Sequence, residues 1–165
     1  MIRSIPDNSR IVRGTFGVTG ISFDWSSLAC DTLGGFRITT NVKCNSSAGR
    51  QLSGRINGSN TTNITWTSTN RLGYNVILGY SGLDFRTGDW MRVVIECLYP
   101  SSSLGGIRNV SFTAFEWRPS TGASTTGTLI GTYTASDEIT GVGVEMNYAV
   151  DLLDETSHYT IERLP

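Results

Sequence analysis

Alternation of apolar and polar side chains with a period of two restricts this chain most, because only an extended strand with one dry and one wet face repeats that way. From residue 36 to 44, Phe36, Ile38, Val42 and Cys44 fall on one side, while Arg37, Thr39, Asn41 and Lys43 fall on the other. Tyr74, Val76, Leu78 and Tyr80 repeat the pattern, and the longest run, Trp90 to Tyr99, sets Met91, Val93, Ile95, Cys97 and Tyr99 against Arg92 and Glu96. That run is expected to be a central strand. Val110 and Phe112, followed by Phe115 and Trp117, change parity, which predicts a bulge near Ala114.

Turn signals separate these runs. Asn45 to Gly49, Asn57-Gly58, Gly82 to Gly88 and Pro100 to Gly106 all carry residues suited to turns, and Asn57-Gly58 tolerates the positive φ of a tight hairpin. Pro119 to Gly127 reads as an exposed loop tip. Further strands are expected over 10–18, 21–23, 52–56, near Ile64 and Trp66, over 129–133, 139–146 and 159–164. About ten strands at this spacing predict an all-β fold, a two-sheet antiparallel sandwich of jelly-roll type with little or no helix. Short helical turns are expected only at 25–29 and 151–157. With 165 residues and no dividing linker, one domain is expected over 15–165, preceded by an N-terminal arm or first strand over 1–14.

Charge narrows the function classes. Charged residues make up 16% of the chain, against about 25% in an average protein. The net charge is -1, Lys43 is the only lysine, and no basic cluster is present, so a nucleic-acid partner is not expected. No apolar stretch approaches a membrane span or a signal peptide, which predicts synthesis in a cytoplasm and no membrane partner. Cys30, Cys44 and Cys97 lack CxxC spacing and read as reduced core residues.

Catalytic and cofactor signatures are sparse. His158 is the only histidine, and nothing nearby in sequence orients it for a Ser-His-Asp device. The neighbours Asp137-Glu138 and Asp154-Glu155 point to opposite faces of an extended chain, and calcium ligation by Asp84, Asp89, Asp151 or Asp154 is outweighed by their reading as turn acids. No zinc spacing and no phosphate-binding glycine loop is found, so no cofactor is expected. Of Trp25, Trp66, Trp90 and Trp117, Trp90 follows Gly88 and Asp89 and is the one expected at the surface. With Tyr80 and the 101–106 loop it forms a candidate platform for the apolar face of a sugar.

The order of the segments carries a resemblance. Ile21-Ser22-Phe23-Asp24-Trp25-Ser26-Ser27-Leu28, then Phe36-Arg37-Ile38, Arg55-Ile56-Asn57-Gly58, Ile139-Thr140-Gly141-Val142-Gly143-Val144 and Tyr159-Thr160-Ile161 resemble the layout of short virion proteins encoded among tailed-bacteriophage structural genes. The likeness spans nearly the whole chain; Ser59-Asn60 stands where an acidic residue is usual, and no proline follows Leu28. It implies a jelly-roll-like virion component, commonly a homotrimer, and carries over no catalytic residue. The expected role is non-enzymatic capsid decoration, or cementing, through contacts with itself and with the major capsid protein. Ile2, Ile5, Ile11 and Val12 of the arm are the expected partner contacts. The alternative is a tail-associated module that reads host-surface glycan through Trp90 and Tyr80.

Overall fold

In the computed structural model the described residues are 2–4, 11–20, 22–26, 28, 35–45, 52–56, 64–66, 71–72, 75–78, 88, 90–98, 108–118, 123–133, 139, 141–146 and 152–164. They form strands β1 (Ile2–Ser4), β2 (Ile11–Thr15), β3 (Ser22–Ser26), β4 (Phe36–Asn45), β5 (Leu52–Ile56), β6 (Ile64–Trp66) and β7 (Arg71–Leu72). The second half adds β8 (Asn75–Leu78), β9 (Trp90–Leu98), β10 (Arg108–Arg118), β11 (Ala123–Tyr133), β12 (Gly141–Met146), β13 (Leu152–Leu153) and β14 (His158–Arg163). The excess over the expected ten comes from pieces of two or three residues, too short to show an alternation.

The smaller sheet has the order β1-β3-β12-β5-β8-β7, and the larger runs β2-β14-β4-β9-β10-β11-β6, with β13 paired to β4 beside it. Pairing is antiparallel except between β1 and β3. The rows β3-β12-β5-β8 and β2-β14-β4-β9 exchange strands repeatedly along the chain, as in an eight-stranded jelly roll. The expected all-β sandwich is therefore the observed fold.

Inward positions of the two sheets make one core. Ile38, Val42, Met91, Val93, Ile95, Cys97, Phe112 and Ile161 from the larger sheet meet Phe23, Trp25, Leu52, Ile56, Val142 and Val144 from the smaller, all almost fully buried. Each fully buried side chain of this kind contributes about 1.5–3 kcal/mol. Phe16, just past β2, stacks on Phe23 at 4.1 Å between ring centroids, and Trp25 and Tyr159 pack edge-on at 5.6 Å. These rings tie the N-terminal edge of the larger sheet to β3.

Several expectations are corrected. β10 pairs in unbroken register with β9 from Asn109↔Leu98 to Trp117↔Trp90, and with β11 along its whole length, so there is no bulge at Ala114. An extra residue there would break two ladders at once. Ala123 to Gly127 is not a loop tip; it pairs with Arg118 to Ala114, its Ser and Thr residues suiting a strand that has a partner. β5 and β6 lie in different sheets and do not form a hairpin; Asn57-Gly58 itself lies outside the described residues. Trp25 and Ser26 end β3, and 152–157 is a short strand followed by a turn, so the described residues of the two expected helical turns are not helical.

On the outer face of the smaller sheet, Gly143 of β12 lies opposite both Asp24 of β3 and Arg55 of β5. Its missing side chain lets Arg55 reach over β12, donating from Nε and Nη2 to the two Asp24 oxygens at 2.7 Å each and from Nη1 to Glu145 at 2.6 Å. A Cβ at Gly143 would run into the Asp24 carboxylate and come within 2.8 Å of the Phe23 carbonyl oxygen. Burial pushes the Asp24 carboxyl above its ordinary range, and Arg55 only partly offsets that. Gly143→Ala is expected to cost about 1–3 kcal/mol by overpacking, read as a lower denaturation midpoint; an unchanged midpoint would show that the bridge does not need the gap.

Candidate functional site

The larger sheet turns outward the residues that alternate with its core set. Across β14, β4 and β9 they line up in register as Glu162, Arg37 and Glu96; Thr160, Thr39 and Val94; His158, Asn41 and Arg92; and finally Lys43 beside Trp90. In the first row Arg37 is neutralised by Glu96 at 2.6 Å, with Glu162 at 3.7 Å. The other end differs. Asn41, Lys43, Trp90, Arg92 and His158 line an open groove of about 300 Å³ that has no carboxylate among these residues.

The groove's hydrogen bonds have a fixed direction. Arg92 Nε can only donate, and it donates to Asn41 Oδ1 at 3.0 Å. The Asn41 amide nitrogen therefore faces His158 and donates to its Nε2 at 2.8 Å, which places the ring proton on Nδ1. The lone pair a general base would use is thus engaged by an amide. His158 meets Asn41, not a serine or cysteine nucleophile, through this nitrogen.

The turn before β14 sets His158 in place. The Asp154 carboxylate accepts from the Thr156 backbone at 2.7 Å and from its hydroxyl at 2.5 Å, while Ser157 N donates to Asp154 O at 3.0 Å. Buried Ser157 then accepts from Lys43 N at 2.9 Å, and the buried Thr40 hydroxyl donates to His158 O at 3.0 Å. Two buried polar side chains are satisfied by the strands that carry the groove. At the other side, Gly88 has φ 92, a left-handed conformation open to glycine, two residues ahead of Trp90.

Of the residues singled out from sequence, Trp90 lies half-buried in the groove wall. Tyr80, the 101–106 loop and Ile5 lie outside the described residues. Ile2 pairs with Asp24 at the edge of the smaller sheet, Ile11 is exposed at the edge of the larger one, and Val12 packs against the core. Residues 2–4 and 11–15 thus supply an edge strand to each sheet of their own chain. Asn41, Lys43, Arg92 and His158 are the site residues that sequence reasoning did not select. Alternation had already put the first three on wet faces, but the register that unites them was not visible. Among the described residues no group of three or more His, Cys, Asp or Glu is placed to hold a metal, and no helix is long and apolar enough to cross a membrane.

No protein-family model and no curated protein matches the chain. Among solved structures it is similar to the marine PL-14 alginate lyase from Aplysia kurodai, at 9% identity and a TM-score of 0.32, over 80% of this chain and 69% of that one. At that score the likeness carries no argument about activity.

The Asp154 turn yields a pH test. Hydrogen bonds from the Thr156 hydroxyl and backbone hold the Asp154 carboxyl below its ordinary value of 3.8, with Lys43 a smaller attraction. Its stabilising contribution is complete above 3.8 and is lost as pH falls through the lowered value. In Thr156→Ala the Asp154 carboxyl is expected to titrate closer to 3.8, as followed by carboxyl-carbon NMR. An unmoved titration would show that the hydroxyl does not hold it.

Proposed function

We propose that this chain is a non-enzymatic virion structural protein, a jelly-roll subunit that decorates and cements a capsid through subunit contacts. The observation that carries the reading is the strand order: rows β2-β14-β4-β9 and β3-β12-β5-β8 facing each other, an architecture used by viral capsid and lectin domains. A fold alone assigns no function. Further support comes from β2, the terminal strand of the larger sheet among the described residues, where Ile11 is 51% exposed. Such an edge offers backbone groups and an apolar side chain to a neighbouring strand. In this reading the partners are other copies, as a homotrimer, and the major capsid protein, and the location is the virion.

A second reading, a tail-tip or fibre-associated module for host-surface carbohydrate, is favoured by one observation. Trp90 stands in the wall of an open groove at the start of the central strand β9, where an indole face packs well against a pyranose.

Mass in solution tests the first reading. The protein is expected to be a trimer, and Ile11→Asp to shift it toward a monomer that keeps the β-sheet circular dichroism spectrum of the parent. Losing one buried isoleucine of about 1.5–3 kcal/mol weakens association by about tenfold or more. A monomeric parent protein, or a trimer indifferent to Ile11→Asp, would contradict the β2 edge as the contact.

A further inference from the structure

We propose that the groove between β14, β4 and β9 binds an acidic saccharide, one carrying carboxylate or sulfate groups, with Trp90 under the sugar ring and Lys43 and Arg92 on its negative charges. This rests on the carbohydrate reading of Trp90 and adds the chemical class of the ligand. It holds wherever in a particle the protein sits.

Two other described cations are neutralised where they stand. Arg37 and Arg55 also stand on outer sheet faces, and each is matched by two carboxylates, Glu96 with Glu162 and Asp24 with Glu145. Lys43 and Arg92 stand on the same kind of surface, both exposed, and no ion pair among the described residues neutralises either of them. The Asp154 carboxylate keeps its charge while it accepts from Thr156, and it attracts Lys43 without forming an ion pair with it. Glu96 lies four residues along β9 from Arg92, roughly 13 Å at the rise of a strand, beyond the screening length of about 8 Å at physiological salt. Among the described residues, the groove wall therefore carries two cations and no carboxylate, on a protein of net charge -1.

Hydrogen bonding points the same way. Asn41 takes up Arg92 Nε and so orients the guanidinium, leaving its terminal nitrogens for the forked contact a carboxylate or sulfate accepts. Lys43 lies directly opposite Trp90 in the β4–β9 ladder, which puts a cation at the edge of the stacking surface. The volume of about 300 Å³ is at the lower end for small-molecule sites, about 300–1,000 Å³. A flat ring flanked by charge fits such a space. Nucleic acid fits less well, because two cations beside one tryptophan do not make the extended basic face that a phosphate backbone requires.

The test uses the full chain and titration calorimetry against three probes: an oligosaccharide of glucuronic acid units, its methyl ester, and a single-stranded oligonucleotide. The acidic oligosaccharide is expected to bind, with affinity falling as salt rises, and the ester to bind about tenfold more weakly or worse. Arg92→Gln and Lys43→Gln should each weaken the acid and leave the ester unchanged, whereas Trp90→Ala should weaken both. These side chains point outward, so an unchanged melting temperature is the check on folding. Equal binding of acid and ester overturns the charge assignment while leaving a carbohydrate site at Trp90. Binding of neither sugar overturns both readings, and oligonucleotide binding at least as tight as the acid's overturns the saccharide in favour of a general polyanion site.

Discussion

Everything on the surface of this protein depends on the burial of one alternating set of side chains between its two sheets. Ile38, Val42, Met91, Val93 and Ile95 face inward and are almost fully buried, so β4 and β9 cannot slip by one residue without turning that set to water. At about 1.5–3 kcal/mol for each such side chain, the cost of a slip exceeds anything the outer faces offer in return. Asn41, Lys43, Trp90 and Arg92 are thereby fixed on the opposite face, in rows they did not choose.

The two outer faces use charge differently. On the smaller sheet Arg55 is enclosed by Asp24 and Glu145 with little exposure, so three strands are pinned by one cation over a glycine. Removing one partner from such a half-buried group leaves the others uncompensated, which makes it a structural device. On the larger sheet the Arg37 row is open to water and contributes little to stability. Further along the strands Arg92 and Lys43 form no ion pair among the described residues, in the groove that Trp90 borders.

Much of the fold was legible in the sequence because it rests on local pattern. Residues 36–44 and 90–97 alternate so regularly that their inner and outer faces can be assigned from spacing alone. What was not legible rests on pairing at long range. The β14–β4 register joins His158 to Asn41 across more than a hundred residues, and no local signal announces it. His158 therefore looked like an isolated polar residue. The expected bulge in β10 fails for the same reason: side-chain parity suggests an extra residue, while continuous pairing to β9 and β11 leaves none unpaired. The 123–127 segment, with its Ser, Thr and Gly, reads as a loop in sequence, and its pairing with β10 is what makes it a strand.

The register of β14, β4 and β9 is the claim on which the groove stands, and cross-strand proton NOEs measure it directly. The account predicts contacts pairing Asn41 with both His158 and Arg92, and Lys43 with Trp90. Contacts from Asn41 to Met91 or Val93 as its direct partners would place the outer residues in other rows, dissolve the groove and contradict the account.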